Sequence, residues 1–231
     1  LAPVAQAVDI DINHDIVVAA GLSVGDTFQL AFVSNVSASQ WDDANADDQT
    51  SSSNIGWYDN MLQDLADNGT YNGVAALNLT WKTIGSDGSV EAKNHASLGA
   101  TTPLYRLDGL QVATGYSDLW DGSIINAIQR DQNGGTPGNE ILTGSKDDGS
   151  RADNNNYIGS GSNCVRGHSG ATNGDWIHSD SDGSLDTNYD LNSKMYAMSE
   201  ETLTVVPEPA TLSLLVLGGL GVLARRRRRR A

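Results

Sequence analysis

The feature that most restricts the fold is an apolar run that ends in six consecutive arginines. The run covers residues 210–224, and its only polar residues are Thr211 and Ser213. As a helix it would be about 22 Å long, which is shorter than the roughly 30 Å hydrocarbon core of a bilayer. A packed protein core does not accommodate adjacent arginines at its edge. The globular fold must therefore be built from the residues before this run.

The residues on either side of the run predict a membrane segment and its orientation. Adding residues 205–209 gives a spanning length. Positive charge marks the cytoplasmic side of a membrane, so we expect the rest of the chain to lie outside the cytoplasm. A nucleic-acid-binding tail is the alternative for an arginine run, but the adjoining apolar segment disfavours it. The basic residues are Arg225, Arg226, Arg227, Arg228, Arg229 and Arg230.

Three parts follow one another at this end of the chain: the triplet Pro207, Glu208 and Pro209, the short apolar span, and the arginine tail. In this order they resemble the PEP-CTERM sorting signal of exported bacterial proteins. The resemblance implies that an exosortase-type membrane transpeptidase recognises the triplet and cuts near it. It also implies a host that makes exopolysaccharide or biofilm matrix. The inner membrane would hold the precursor transiently, and the mature protein would reach the cell surface or the medium.

The first residues predict a second export signal. Ala5-Gln6-Ala7 is an A-x-A pattern of the kind that precedes a signal-peptidase cut. An ordinary alanine-rich terminus is the alternative. We therefore expect a signal-peptide remnant at residues 1–7, one exported domain at 8–204 and the sorting signal at 205–231.

The charge of the body disfavours one class of partner. Residues 8–206 hold eight basic and 28 acidic residues, a net charge of −20. Such a surface repels phosphate backbones, so we expect no nucleic-acid binding. It suits a soluble surface protein and attracts cations or basic partners. The single cysteine, Cys164, excludes an intramolecular disulfide.

Local patterns predict an α+β body, mainly antiparallel β with one or two short helices and long loops. Residues 27–34 alternate, with Phe28, Leu30 and Phe32 on one face, which predicts a half-buried strand. Residues 193–206 predict a closing strand, and we expect the first and last strands of the body to pair. A single hydrophobic helix at the C-terminus completes the prediction.

A helix and a hairpin are the clearest local signals in the body. Apolar residues at helical spacing follow Ser53, a candidate N-cap, and Asn68-Gly69 is a typical helix end. Asp108-Gly109 lies between two short apolar runs, which predicts a hairpin with a type I′ turn.

Several short motifs follow one another along the body, at residues 32–34, 81–82, 109–113, 116–119, 143–149 and 196–200. Their order is similar to that of the C-type-lectin-like, endostatin-like domains of some bacterial surface proteins. The resemblance covers most of residues 27–204 and implies a surface domain that is often adhesive.

Two groups of residues are candidates for ligand binding. Asp180, Asp182 and Asp186 form an acidic loop around a glycine, which can hold a hard cation such as calcium, although the spacing is not that of an EF-hand; a solvated acidic loop is the alternative. Aromatic faces also suit the stacking of sugars, although core packing is the alternative for each ring. The candidate rings are Trp41, Trp57, Trp120 and Trp176.

The sequence favours a protein that is not an enzyme. Cys164 and His168 form a candidate nucleophile–base pair, but an incidental thiol is the favoured interpretation. We therefore expect an exported surface or extracellular-matrix protein, associated with exopolysaccharide or biofilm. A calcium-dependent carbohydrate-binding or adhesion module is the alternative, and a hydrolase without a recognisable motif is the third hypothesis.

Overall fold

The computed structural model describes residues 7–37, 40–41, 54–138, 140–153, 155–160, 164–179 and 193–208. The strands are β1 (Val8–Asp11), β2 (Thr27–Val33), β3 (Trp81–Thr83), β4 (Leu104–Arg106), β5 (Gln111–Ala113), β6 (Glu140–Leu142), β7 (Arg166–His168), β8 (Tyr196–Ser199) and β9 (Leu203–Val206). The α-helices are α1 (Asp15–Ala20), α2 (Ile55–Asp67), α3 (Ala92–His95) and α4 (Tyr116–Leu119), and Tyr71–Leu77 and Gly174–Trp176 are 3₁₀ helices.

Seven of these strands form one mixed sheet around β2. The order is β1-β9-β2-β4-β5, and β8 lies beside the second half of β2 and carries β3 at its other edge. β1 pairs with β9 and β2 with β4 in parallel, whereas the other pairings between these nine strands are antiparallel. The first and last strands pair, as the sequence predicts. The result is a mixed α/β body with mostly strands and a few short helices.

The central strand corrects one prediction. β2 does place Phe28, Leu30 and Phe32 on one face, but Ala31 and Val33 on its other face are also fully buried. It is therefore not half-buried. Other parts of the chain pack on both faces of the sheet. The face with Ala31 and Val33 is covered partly by long loops, whose sequences show no periodic pattern.

The predicted helix is confirmed as α2, with a different cap. Its apolar spacing buries Tyr58 and Leu62 against the sheet. The N-cap is Asn54, whose side-chain Oδ1 accepts a hydrogen bond from the Gly56 N–H at 2.9 Å. At the other end the Asn68 amide donates to the Asp64 carbonyl at 2.8 Å. The Ser53 cap proposed from the sequence lies outside the described residues.

The predicted hairpin is confirmed, but its turn is not type I′. β4 and β5 pair in antiparallel fashion, and Gly109 N–H donates to the Arg106 carbonyl at 3.0 Å. Gly109 alone in this turn has a positive φ, +81°, whereas a type I′ turn needs two such residues. A Cβ at Gly109 would lie 2.7 Å from the Ala19 Cβ. The turn therefore depends on close packing against α1.

The hydrophobic helix predicted at the C-terminus lies outside the described residues. Among those that are described, no helix has both the length and the apolar character needed to cross a membrane.

Candidate functional site

The last strand of the sheet leads directly into the predicted sorting triplet. β9 ends at Val206, and Pro207 is the next residue. The end of β9 is still paired, because Val206 faces Asp11 of β1 and accepts a hydrogen bond from the Ile12 N–H at 2.9 Å. No linker therefore separates the sheet from the triplet.

One side chain of the body contacts the triplet itself. Asn13 lies in the turn between β1 and α1, and its Nδ2 donates to Oε1 of Glu208. The backbone N–H of Asn13 separately donates to the Asp11 carboxylate at 2.8 Å, which holds the turn without using the side-chain amide. Pro209 and residues 225–230 lie outside the described residues.

Comparison with protein-family models identifies this end of the chain. Residues 205–229 match the model of the PEP-CTERM protein-sorting motif. The chain carries a PEP-CTERM sorting motif. The motif implies export and exosortase-dependent sorting to the cell envelope, with exosortase as a partner. Because the match starts at residue 205, its first two residues belong to β9 of the folded body.

The rest of the body is not assigned to a family. A search of curated proteins found no match to this chain. Neither comparison confirms the C-type-lectin-like resemblance of residues 27–204, which stays a prediction.

The calcium site and the first export signal stay predictions. Asp180, Asp182 and Asp186 lie outside the described residues, as does Ala5, while Ala7 directly precedes β1. In the part of the chain that the structure describes, no group of three or more His, Cys, Asp or Glu side chains is placed to hold a metal ion.

The four candidate tryptophans divide into two pairs. Trp176 is 0 % exposed and Trp120 is 8 % exposed, and their ring centroids lie 5.9 Å apart within one apolar core. The sugar-stacking prediction is wrong for these two, because loops cover the rings. Trp41 and Trp57 are half-buried and meet edge to face, with centroids 4.8 Å apart. This pair keeps accessible aromatic surface.

A partly buried cluster of polar side chains joins α2, β3 and α3 and was missed by the sequence analysis. The Nε2 of His95 lies 2.9 Å from Oδ1 and 3.0 Å from Oδ2 of Asp59, and Lys82 Nζ lies 3.2 Å from Oδ2. The Thr83 N–H also donates to Oδ1 at 2.8 Å. No sequence spacing links these residues, so only the fold reveals the cluster.

Burial and hydrogen bonds act in opposite directions on Asp59. Burial opposes ionisation of the carboxyl, but the hydrogen bonds from His95 and Thr83 outweigh it and hold the pKa of Asp59 below its ordinary value. Both oxygens are occupied by partners from two other elements. The cluster therefore acts as a charged clamp between the helix layer and the sheet.

The cysteine is placed unfavourably for nucleophilic chemistry. Burial raises the pKa of the Cys164 thiol, and its Sγ contacts the Val165 carbonyl at 3.5 Å. A raised pKa keeps the thiol protonated at neutral pH, whereas the thiolate is the reactive form. The absence of an enzymatic activity itself stays a prediction.

Proposed function

We propose that this protein is an exported, non-catalytic component of the cell surface or extracellular matrix. An exosortase-type transpeptidase removes its tail near the Pro207-Glu208-Pro209 triplet. The observation that carries the proposal is the position of the sorting motif, which begins in β9, the last strand that the structure describes. Removal of the tail leaves each of the described strands in place.

The packing of β9 limits where the cut falls. Leu203 and Val205 are buried in the core, and Val206 is hydrogen-bonded to the β1 side of the sheet. Cutting before Val206 would require the strand to leave the core, which costs the burial of two apolar side chains. We therefore place the cut at or after the Val206–Pro207 bond.

The net charge of the body fits a protein that is located outside the cell. Removing the arginine tail leaves residues 8–206 with a net charge of −20. A strongly charged surface favours solubility and hydration and attracts cations and basic partners. These properties fit a protein embedded in hydrated exopolysaccharide or biofilm.

The test compares cells with and without the sorting enzyme. We expect the wild-type chain to leave the membrane fraction and lose its tail when the enzyme is present, and to remain membrane-bound without it. The matched variant is Pro207→Ala with Pro209→Ala, which keeps the apolar span and the arginines. Equal release with and without the enzyme would contradict the proposal.

A second candidate function rests on the Trp41–Trp57 pair. These half-buried rings present apolar aromatic surface, and acidic residues follow Trp41 in the sequence. Sugar rings stack on such surfaces, so the body would bind a surface polysaccharide, with calcium as the candidate cofactor. We expect Trp57→Ala to lose retention in affinity electrophoresis with exopolysaccharide, while Tyr116→Ala, on the opposite side of the sheet, keeps it. Retention by both variants would remove this candidate.

A further inference from the structure

We infer that the folded body competes with the sorting enzyme for the triplet. Asn13 holds Glu208 against the turn between β1 and α1, and this contact must break before the triplet enters an active site. The inference rests on the proposed function, because it concerns the regulation of that same processing step.

The backbone before the triplet is already paired on both sides. β9 lies between β1 and β2, and its register brings Val206 opposite Asp11. The Gly25 N–H donates to the Val205 carbonyl at 2.9 Å, and the Ile12 N–H reaches the Val206 carbonyl. An enzyme that grips the chain here would have to replace these bonds.

The Asn13 contact extends this restraint into the triplet. Pro207 is the single residue between the end of β9 and Glu208, so strand and side-chain contact hold adjacent parts of the chain. Residues 207–209 span at most about 10 Å when extended. An active site that encloses the triplet must therefore approach the end of the sheet closely or wait until the chain lifts away.

The expected effect follows from local opening. When a folded segment opens and closes faster than it is cut, the cutting rate follows the fraction of time that it is open. Removing one hydrogen bond between an amide and an exposed carboxylate raises that fraction by about two- to fivefold. The same factor applies to the rate of processing.

Asn13 is the residue that isolates this effect. Glu208 belongs to the recognition triplet, so changing it would also alter the enzyme's own contacts. Asn13→Ala removes the side-chain amide and keeps the backbone N–H that bonds to Asp11. Asn94→Ala is the matched control, because Asn94 is an exposed asparagine whose Nδ2 donates to the Glu91 carboxylate at 3.3 Å.

The experiment is a pulse-chase of the full chain in cells that contain the sorting enzyme. We expect Asn13→Ala to be processed about two- to fivefold faster than wild type, and Asn13→Asp at least as fast, because a carboxylate cannot donate and repels Glu208. Asn94→Ala should match wild type. An Asn13→Ala rate equal to that of wild type overturns the inference.

A second measurement needs no sorting enzyme. Hydrogen–deuterium exchange of the full chains in detergent should be faster in Asn13→Ala than in wild type for the peptide that contains residues 203–208. Unchanged exchange overturns the inference even if processing occurs. If wild type is never processed while exchange responds to Asn13, the proposed function fails and the Asn13 contact with the chain end stands.

Discussion

The two faces of the central sheet are buried by different kinds of structure. On one face Phe28, Leu30 and Phe32 pack under α1 and α2, and α2 shows regular apolar spacing. On the other face Ala31 and Val33 lie under short helices and loops. The difference shows that burial in this protein does not depend on regular secondary structure, since both faces exclude water equally well.

Aromatic packing and polar contacts replace regular structure on the loop-covered face. Trp176 sits between Trp120 and Tyr196, with centroids 5.9 Å from each, and the Tyr196 hydroxyl donates to the Trp176 carbonyl at 3.1 Å. Gln29 points its side chain to the same region, where Nε2 donates to the Ser199 carbonyl at 2.6 Å and Oε1 accepts from Gly99. These contacts tie the 3₁₀ helix at Trp176 to β8 and the loop at Gly99 to β2.

The largest expected effect compares one large aromatic ring from each face. Trp176→Ala and Phe32→Ala should each lower the free energy of unfolding by about 3–5 kcal/mol, because both side chains are fully buried. Urea unfolding measures both losses. Ile125→Ala, at a side chain 48 % exposed, is the control and should change little. A loss below about 1 kcal/mol for Trp176→Ala would mean that the loop-covered face is not a packed core.

A glycine substitution on each face separates backbone strain from crowding. Gly149 has φ +72°, and an added Cβ would lie 2.5 Å from Trp120 Cε3. Gly21, at the end of α1, has φ +67° and nothing within 4 Å. We expect Gly149→Ala to cost about 2–4 kcal/mol and Gly21→Ala about 1 kcal/mol, measured by urea unfolding. Equal costs would contradict close packing of the Gly149 loop on Trp120.

The Asp59 clamp joins α2 to both β3 and α3, so it tests how the helix layer is held. Asp59→Asn keeps an acceptor for the Thr83 N–H but removes the negative charge of the carboxylate that His95 and Lys82 both contact. We expect this substitution to lower the free energy of unfolding by about 1.5–3 kcal/mol at pH 7. Asp64→Asn, at an exposed site on the same helix, is the control.

The acid dependence of this difference follows from the lowered pKa of Asp59. The ionised carboxylate stabilises the fold above the ordinary carboxyl pKa, and this contribution is lost as the pH falls below about 4 through the lowered folded-state value. Wild type and Asp59→Asn should therefore converge in stability as the pH is lowered to 3. A gap in the free energy of unfolding that stays constant from pH 7 to pH 3 would contradict this role.

The smallest expected effect lies at the start of α2. Asn54→Ala removes the side-chain acceptor for the Gly56 N–H and should cost about 1 kcal/mol. Asn54→Asp, which keeps an acceptor, should retain stability in the same urea unfolding measurement. If Asn54→Ala left the free energy of unfolding unchanged, the cap would not be needed when the helix is held by its buried face.

The sequence predicts the helix-covered face better than the loop-covered one, and the reason is physical. α2 and β2 repeat apolar residues with the periods of a helix and a strand, so their buried faces are visible in the sequence. Trp176 lies in a glycine- and asparagine-rich stretch with no period, and its burial arises from contacts with Trp120 and Tyr196. The Asp59 clamp is likewise invisible, because residues far apart in the chain meet only in the fold.

The candidate site shows the same division. The PEP-CTERM motif is a contiguous string of residue types, so the sequence alone identifies it. Its attachment to the sheet without a linker, and the contact of Asn13 with Glu208, depend on the pairing of the first and last strands. The sequence predicts that pairing, but not the side-chain contact at its end.

Intact-mass analysis of the natively released protein tests the central claim most directly. We predict a mature chain that ends at Val206 or within residues 207–209, because Leu203 and Val205 are buried, Val206 is still hydrogen-bonded to β1, and the triplet follows at once. A released protein whose mass retains the six arginines, or whose chain ends before Val206, would contradict the account.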